Sequence, residues 1–422
     1  MYNIYFYLII GFFTASFIWT QFLAWLNRKR MNPVIPEELK GIYPPEKYAQ
    51  QQAYQRANSR FGLISGGFSF VVLFLILSFG LLGWFDNYLR EYTDHFLILP
   101  LLFFGIIMIA NEIISFPFNW YATFTIEERF GFNKSTRKLF IIDWLKGIAL
   151  SLLLGGIVLS AILFIYHYTP EEFWLLAWMV VSVFSLIMTF FYSEWIVPLF
   201  NKQTPLEDGE LRDAIESFAQ KARFRLKNVF VMDGSKRSTK ANAYFTGFGK
   251  KKRIVLFDTL KNDLTTEEIV AVLAHEIGHY KKKHIIYTLL LSLLTTGIVF
   301  YILSLFLGNV QLAEALGGKI ASFHLGIIGF SFLFTPISEV LGLALNYFSR
   351  KNEYEADNYA AQFGLSETLI SALKKLSVQS LSNLNPHPLV VFWYHSHPTL
   401  LQRIQYINNL GIAGQARNDR IS

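Results

Sequence analysis

The chain has 422 residues, 53% of them hydrophobic, 17% aromatic and only 16% charged. Soluble domains carry roughly 25% charged residues, so disorder, a coiled coil and a small secreted scaffold are excluded and much of the mass belongs in lipid. Cysteine is absent, which removes disulfides and thiolate chemistry, and the net charge of +7 calls for either a nucleic-acid or a membrane explanation.

In chain order, seven stretches are apolar enough, for roughly 20 residues each, to cross a bilayer. They are predicted at Ile4–Leu26, Phe61–Phe85, Phe96–Phe116, Phe140–Tyr166, Phe173–Leu199, Ile285–Phe306 and Phe323–Leu345. The first lacks the basic start and small-residue cleavage site of a signal peptide and reads as a retained anchor. Gly297, Pro336 and Glu339 soften the last two spans, and a kink is expected there.

The loops use the positive charge. Arg28, Lys29, Arg30, Lys40, Lys47, Arg56 and Arg60 follow span one, whereas the loop after span two holds only Arg90. Arg129, Lys134, Arg137 and Lys138 come next, His167–Glu172 has no cation, and the segment 201–284 is rich in lysine. This alternation predicts an N-terminus outside, with the polar segments 201–284 and 349–422 together in the cytoplasm. The net charge is a topology signal, and a nucleic-acid partner is not expected. Four regions follow: 1–200 with spans one to five, a polar cytoplasmic segment 201–284, spans six and seven in 285–348, and a C-terminal cytoplasmic segment 349–422.

Within 201–284, Asp208 is expected to cap an amphipathic helix through Arg223, with Leu211, Ile215 and Phe218 at helical spacing. Strands are predicted at Asn228–Met232, Ala243–Phe248 and Arg253–Phe257. Thr265 and Glu268 form a capping-box pattern opening a helix that runs towards His284.

That helix carries His275-Glu276-Ile277-Gly278-His279, an HExxH motif. Four residues make about one helical turn, so both imidazoles project from one face and can grip one zinc ion. Glu276 adjoins the first ligand, where it can take a proton from a metal-activated water. Chance produces this pattern in roughly one such chain in a hundred. A catalytic zinc needs a third protein ligand and one open position. Cysteine is unavailable, and Lys282 and Ile285 stand where an extended HExxHxxGxxH motif would need Gly and His. A downstream carboxylate is expected instead, from Glu353, Glu355 or Asp357. Glu353 and Asp357 are four apart and share a helix face, so Glu353 is the expected ligand and Asp357 the residue that orients a ligand histidine. Glu355 reads as part of a solvated face.

Two further features could serve the reaction. Tyr394-His395-Ser396-His397-Pro398 places two histidines beside a turn, and one could donate to an oxyanion. Asn242-Ala243-Tyr244 opens a strand whose edge could hold a peptide, or which could equally be an ordinary core strand. Lys281–Lys283, directly after the motif, argue against an intramembrane-cleaving protease. A quality-control membrane protease remains an alternative. So does a transporter with a structural metal, for which Glu112, Asp143, Glu194 and Glu339 are the intramembrane carboxylates.

The chain resembles the type 1 integral-membrane CAAX prenyl proteases, zinc metallopeptidases, over nearly its whole length. The resemblance rests on Phe118-Asn119-Trp120-Tyr121, Ile126-Glu127-Glu128-Arg129-Phe130-Gly131-Phe132-Asn133-Lys134 and Pro198-Leu199-Phe200-Asn201-Lys202. It continues through Thr204-Pro205-Leu206-Glu207-Asp208-Gly209, Asn242-Ala243-Tyr244, the HEIGH run, Asn352-Glu353-Tyr354-Glu355-Ala356-Asp357 and Ser396-His397-Pro398. It implies a polytopic α-helical membrane protein, seven helices forming a barrel around a hydrated chamber, with a cytoplasmic α+β protease domain. It also implies one Zn2+ on His275, His279 and Glu353, Glu276 as general base and acid, and His397 near the reacting carbonyl. Asn242, Ala243 and Tyr244 would line the substrate backbone. Members remove the last three residues of C-terminally prenylated CAAX proteins, and some cut other membrane-associated peptides. The tail Asn418–Ser422 shows no endoplasmic-reticulum retrieval signal, which favours a bacterial inner membrane. Oligomeric state is left open.

Overall fold

Seven helices in the computed structural model are long and apolar enough to cross a membrane, counted among the described residues. Those residues are 2–418 apart from 33, 36, 38, 39, 225, 227 and 247–252, with backbone only for 245, 246 and 411–418. Helix α1 (Ile4–Lys29) starts at Asn3, whose side chain accepts from the Phe6 backbone N–H, and ends in Arg28 and Lys29. Helix α2 (Pro45–Ser78) begins well before its apolar run, with proline in its first turn. It stops earlier than predicted. Gly80 adopts φ 63, a left-handed conformation open to glycine, and Leu81–Phe85 turn away into the separate α3 (Leu81–Arg90).

Helix α4 (Ile98–Tyr121) continues through a π-helical turn, Ala122–Glu127. Then come α5 (Arg137–Tyr168), α6 (Phe173–Trp195) and the single turn α7 (Val197–Phe200). The polar unit that follows has strands β1 (Gln203–Pro205), β2 (Asn228–Met232), β3 (Ala243–Thr246) and β4 (Arg253–Phe257). Part of the strand predicted at Ala243–Phe248 therefore lies outside the described residues. The sheet order is β1-β2-β4-β3, with β2 parallel to β4 and the other two pairs antiparallel. Helix α8 (Glu210–Lys221) is capped by Gly209 rather than by Asp208. Gly209 sits at φ 148, which a side chain at that position would resist, and the Asp208 carboxylate accepts from Arg212 instead.

Helix α9 (Asp258–Asp263) leads into α10 (Thr266–Lys281), whose capping box forms between Thr265 and Glu268 as expected. It ends at Lys281 and does not reach His284, which opens α11 (His284–Phe306) after Lys283 at φ 60. A short α12 (Val310–Ala315) precedes α13 (Phe323–Ala361). Helix α13 has 39 residues and so runs about 58 Å, roughly twice the hydrocarbon thickness of a bilayer. Pro336 does not end it. The predicted seventh span and the acidic helix after it are one continuous rod. The chain finishes with α14 (Ser366–Gln379), α15 (Pro388–Tyr394) and α16 (Leu400–Asn418).

The spanning helices close a ring. Helix α1 touches α2, α2 touches the π-helical turn of α4, and α4 touches α5. The ring continues through α6, α11 and α13, and α13 returns to α1. At most 17% of any span's most apolar window is buried, as expected of helices with lipid on one side and a chamber on the other. One end is plugged by Phe6, Leu77, Phe103, Leu312 and Leu325, buried side chains from α1, α2, α4, α12 and α13. There, buried Asp86 accepts from His324 Nε2 at 2.7 Å and Arg90 Nε at 3.1 Å, fixing α3 to the start of α13. Towards the far end of α13, α10 packs against its last turns and against α8 and α14. A core of Ile215, Leu256, Ile269, Leu273 and Ile277 holds helices and sheet together.

Candidate metal centre

His275 and His279 lie one turn apart on α10, and Glu353 faces them from α13. One ligand atom from each lies within 4.8 Å of the others. The crossing is tight because Gly278 has no side chain: a Cβ there would stand 3.0 Å from Tyr359 Cβ and 3.1 Å from Ala356 Cα. The motif's glycine therefore sets how close α10 and α13 come.

Hydrogen bonds fix the histidine tautomers. His275 Nδ1 lies 2.9 Å from Asp357 Oδ1, and a carboxylate only accepts, so Nδ1 carries the proton and Nε2 the lone pair. Arg403 Nη2 passes the same nitrogen at 3.3 Å, but it donates to Asp357 Oδ1 at 2.6 Å, so the Nδ1 proton belongs to the His275–Asp357 pair. The His275 and His279 Nε2 atoms are 3.2 Å apart. That is close to the ~3.3 Å expected between two nitrogens each about 2.1 Å from one tetrahedral zinc. Glu353 oxygens lie 3.3 Å from His279 Nε2 and 3.5 Å from His275 Nε2. Buried Glu353 Oε2 has no hydrogen-bond partner among the described residues. Lone pairs and a carboxylate converge with too few protons between them, an arrangement a cation satisfies. Without a metal, a proton takes the place at Nε2: burial opposes charge on His275, yet its hydrogen bonds to Asp357 and Glu353 outweigh that and raise its pKa to about 9, so a bound metal must displace that proton. The donor set fits zinc.

The other predicted residues separate into those near this cluster and those away from it. Asp357 is fully buried and accepts two hydrogen bonds from Arg403, at 2.9 and 2.6 Å, besides its contact with His275. Glu276 is half-buried, and its charge helps hold the Arg403 guanidinium protonated. His397 is exposed, with Nε2 3.3 Å from Glu353 Oε1 and Nδ1 2.9 Å from Ser396 Oγ. His395 is used differently: its carbonyl accepts from Arg350 Nη1 at 2.6 Å, and burial, with Arg350 and His397 nearby, lowers its imidazole pKa. Glu355 is not a merely solvated acid, since it lies 3.1 Å from the buried His284.

Strand β3 is an outer strand of the sheet, pairing with β4. Ala243 packs against the core shared with α10, and the Asn242 carbonyl accepts from Phe257 N–H at 3.0 Å. Tyr244 reaches Ser193 Oγ and Gln203 Nε2, each at 3.3 Å, tying the strand to the end of α6. The turn before β3 is held to the membrane region. Thr239 N–H donates to the Phe132 carbonyl, Lys134 N–H to the Arg237 carbonyl, and Lys240 Nζ reaches Glu127 at 2.8 Å and Tyr54 Oη at 3.1 Å. Sequence reasoning missed Arg403 and His284, for neither carries a local motif that marks it.

Two family profiles cover almost all of the chain: CAAX prenyl protease N-terminal, five membrane helices, over residues 24–202, and peptidase family M48 over residues 205–410. The chain belongs to peptidase family M48, in its CAAX prenyl protease type. The CAAX prenyl protease 1 homolog of Arabidopsis thaliana is 35% identical, spanning 95% of this chain and 96% of that protein. CAAX prenyl protease 1 of Saccharomyces cerevisiae is 34% identical over 94% of each, and the Homo sapiens homolog 32% over 95% of each. The crystal structure of S. mikatae Ste24p superposes with a TM-score of 0.90 at 32% identity, covering 96% of this chain and 99% of that one. As a member of this family the protein is a multi-span membrane zinc metallopeptidase acting on peptide or protein substrates. The transporter alternative also loses its structural motive. Asp143 and Glu194 pair with Arg237 and Arg253, and Glu112 and Glu339 accept from the indoles of Trp144 and Trp393.

Proposed function

We propose that the protein cleaves peptide bonds near the C-terminus of prenylated or other membrane-associated substrates, with His275, His279 and Glu353 holding a single zinc ion and Glu276 as general base. The observation that carries this is the convergence of two imidazole Nε2 atoms, 3.2 Å apart, on the buried Glu353 carboxylate, one on each oxygen at 3.3 and 3.5 Å. A zinc ion bound there supplies Lewis acidity, lowering the pKa of the attacking water and polarising the scissile carbonyl. Glu276 accepts the water proton as the new C–O bond forms, and gives a proton to the leaving amine as the C–N bond breaks. His397, at the rim of the cluster, donates from Nε2 to the developing oxyanion. Asp357, clamped by Arg403, keeps His275 in the tautomer whose Nε2 is free. The outer edge of β3, from Asn242 to Tyr244, takes the substrate as an added strand.

The excess of Lys and Arg in alternate loops supports a site that faces the cytoplasm and an N-terminus outside. The expectation of a bacterial inner membrane rests on the tail, where residues 419–422 lie outside the described ones, whereas the relatives named above are eukaryotic. Purified protein, given matched CAAX peptides with and without a farnesyl group, tests the substrate. Preference for the farnesylated peptide supports prenyl recognition. Equal rates would refute it and favour a broader membrane-protein protease.

A further inference from the structure

His284 is buried at the first position of α11, at the point where the protease helix hands over to the membrane, and the mechanism above gives it no role. Its surroundings are specific. His284 Nδ1 lies 3.1 Å from His279 Nδ1, and His284 Nε2 lies 3.1 Å from Glu355 Oε2. The rings of His279 and His284 meet at 75°, their centroids 5.1 Å apart, edge towards face. Proton counting along this chain leaves one neutral arrangement. The Glu355 carboxylate only accepts, so His284 Nε2 carries a proton. A neutral His284 then offers a lone pair at Nδ1, and His279 must supply the proton between the two Nδ1 atoms. That leaves His279 Nε2 unprotonated, facing His275 Nε2 and Glu353.

We infer that His284, oriented by Glu355, is a positioning residue that fixes the tautomer and ring orientation of His279 for metal binding. The cluster thus has two supports of different construction. His275 leans on a carboxylate directly, through Asp357, whereas His279 leans on a carboxylate through an intervening imidazole. The turn geometry is built for this contact. Lys283 occupies the left-handed region at φ 60, which a residue with a Cβ adopts at a cost, and that turn brings His284 back against His279. Glu355, set on α13 two residues after Glu353, is thereby engaged at the same centre through another element. A solvated acid or a histidine buried only for packing would not require both of its nitrogens to be bonded in this order.

This inference rests on the zinc reading of the His275, His279 and Glu353 cluster, and its test keeps the two apart. Zinc dissociation constants are measured by competition with a chromophoric chelator, on full-length protein in detergent. The proteins are wild type, His275→Ala, His284→Leu, His284→Asn and Glu355→Ala, and melting of the zinc-stripped forms controls for folding. Wild type should bind one zinc and His275→Ala should not; failure of that pair overturns the metal reading, and this inference with it. His284→Leu should weaken zinc binding about 10–100-fold, the usual effect of losing a residue that orients a metal ligand. His284→Asn, whose Oδ1 can stand where Nδ1 accepts, should recover part of that loss although the stripped proteins melt alike. Glu355→Ala should weaken binding less than His284→Leu. Zinc binding by His284→Leu within twofold of wild type would overturn the positioning role. So would equal weakness of the Leu and Asn variants.

Discussion

Gly278→Ala is the smallest change that separates the two halves of the proposed zinc site. The added Cβ would meet Tyr359 Cβ at 3.0 Å, Ala356 Cα at 3.1 Å and the Ala356 carbonyl oxygen at 3.2 Å. Ordinary carbon contacts begin near 3.4 Å, so α10 and α13 must part by about 0.4 Å at this crossing. Two of the three opposing atoms belong to the α13 backbone and cannot swing aside. Overpacking of this kind costs about 1–3 kcal/mol, set against the ~1 kcal/mol that alanine gains over glycine inside a helix. Stability alone should therefore change little. Zinc is the sensitive readout, because His275 and His279 ride on α10, Glu353 rides on α13, and metal–ligand distances tolerate only about 0.2 Å. Chelator competition should show zinc affinity at least tenfold weaker, with the melting temperature of the stripped protein shifted by a few degrees at most. Unchanged zinc affinity in Gly278→Ala would refute the claim that this crossing sets the site.

Other consequences follow from single contacts. Asp357→Asn takes from the buried Arg403 guanidinium its nearest carboxylate, leaving Glu353 at 3.5 Å, and allows His275 the wrong tautomer; a loss of about 1–3 kcal/mol of stability is expected by denaturant titration, together with weaker zinc binding. His397→Ala should retain one zinc per chain yet lower kcat by about 10²–10³, measured at saturating peptide. Burial pushes the Glu268 carboxyl up, but hydrogen bonds from Lys375, the Thr265 backbone and Ser371 outweigh it and hold the pKa below its ordinary value. A depressed carboxyl stabilises the fold above its unfolded pKa near 4.3, and that contribution fades as pH falls below it. Melting temperature measured from pH 7 down to pH 2 should drop more steeply for wild type than for Glu268→Gln, with the difference opening below about pH 4.3.

The seven spans were legible because hydropathy records which residues must avoid water. Helix limits were not, because hydropathy is blind to a helix that leaves the bilayer and continues. Nothing between Leu345 and Glu353 breaks a helix, so α13 carries Glu353 on from its apolar run without interruption. Span two ended early for a backbone reason, the left-handed Gly80, which no apolar count detects. Gly209 likewise took the capping position from Asp208. At the site, His275, Glu276 and His279 are marked by spacing within one turn, and the shared face of Glu353 and Asp357 is visible at four-residue spacing. Arg403 reaches His275 from 128 residues away and Asp357 from 46, so its place depends wholly on how α16 packs. Gly278 stood inside the motif as an unassigned position; its reason is the backbone of Ala356 on another helix.

The central claim is that Glu276 performs proton transfer at a zinc held by His275, His279 and Glu353. The most direct test is zinc content and peptide turnover of Glu276→Gln beside wild type, before and after chelation. The account predicts one zinc per chain in both proteins, turnover lowered about 10²–10⁴-fold in Glu276→Gln, and none in chelated wild type. Cleavage by Glu276→Gln at the wild-type rate, or by zinc-stripped wild type, would contradict it.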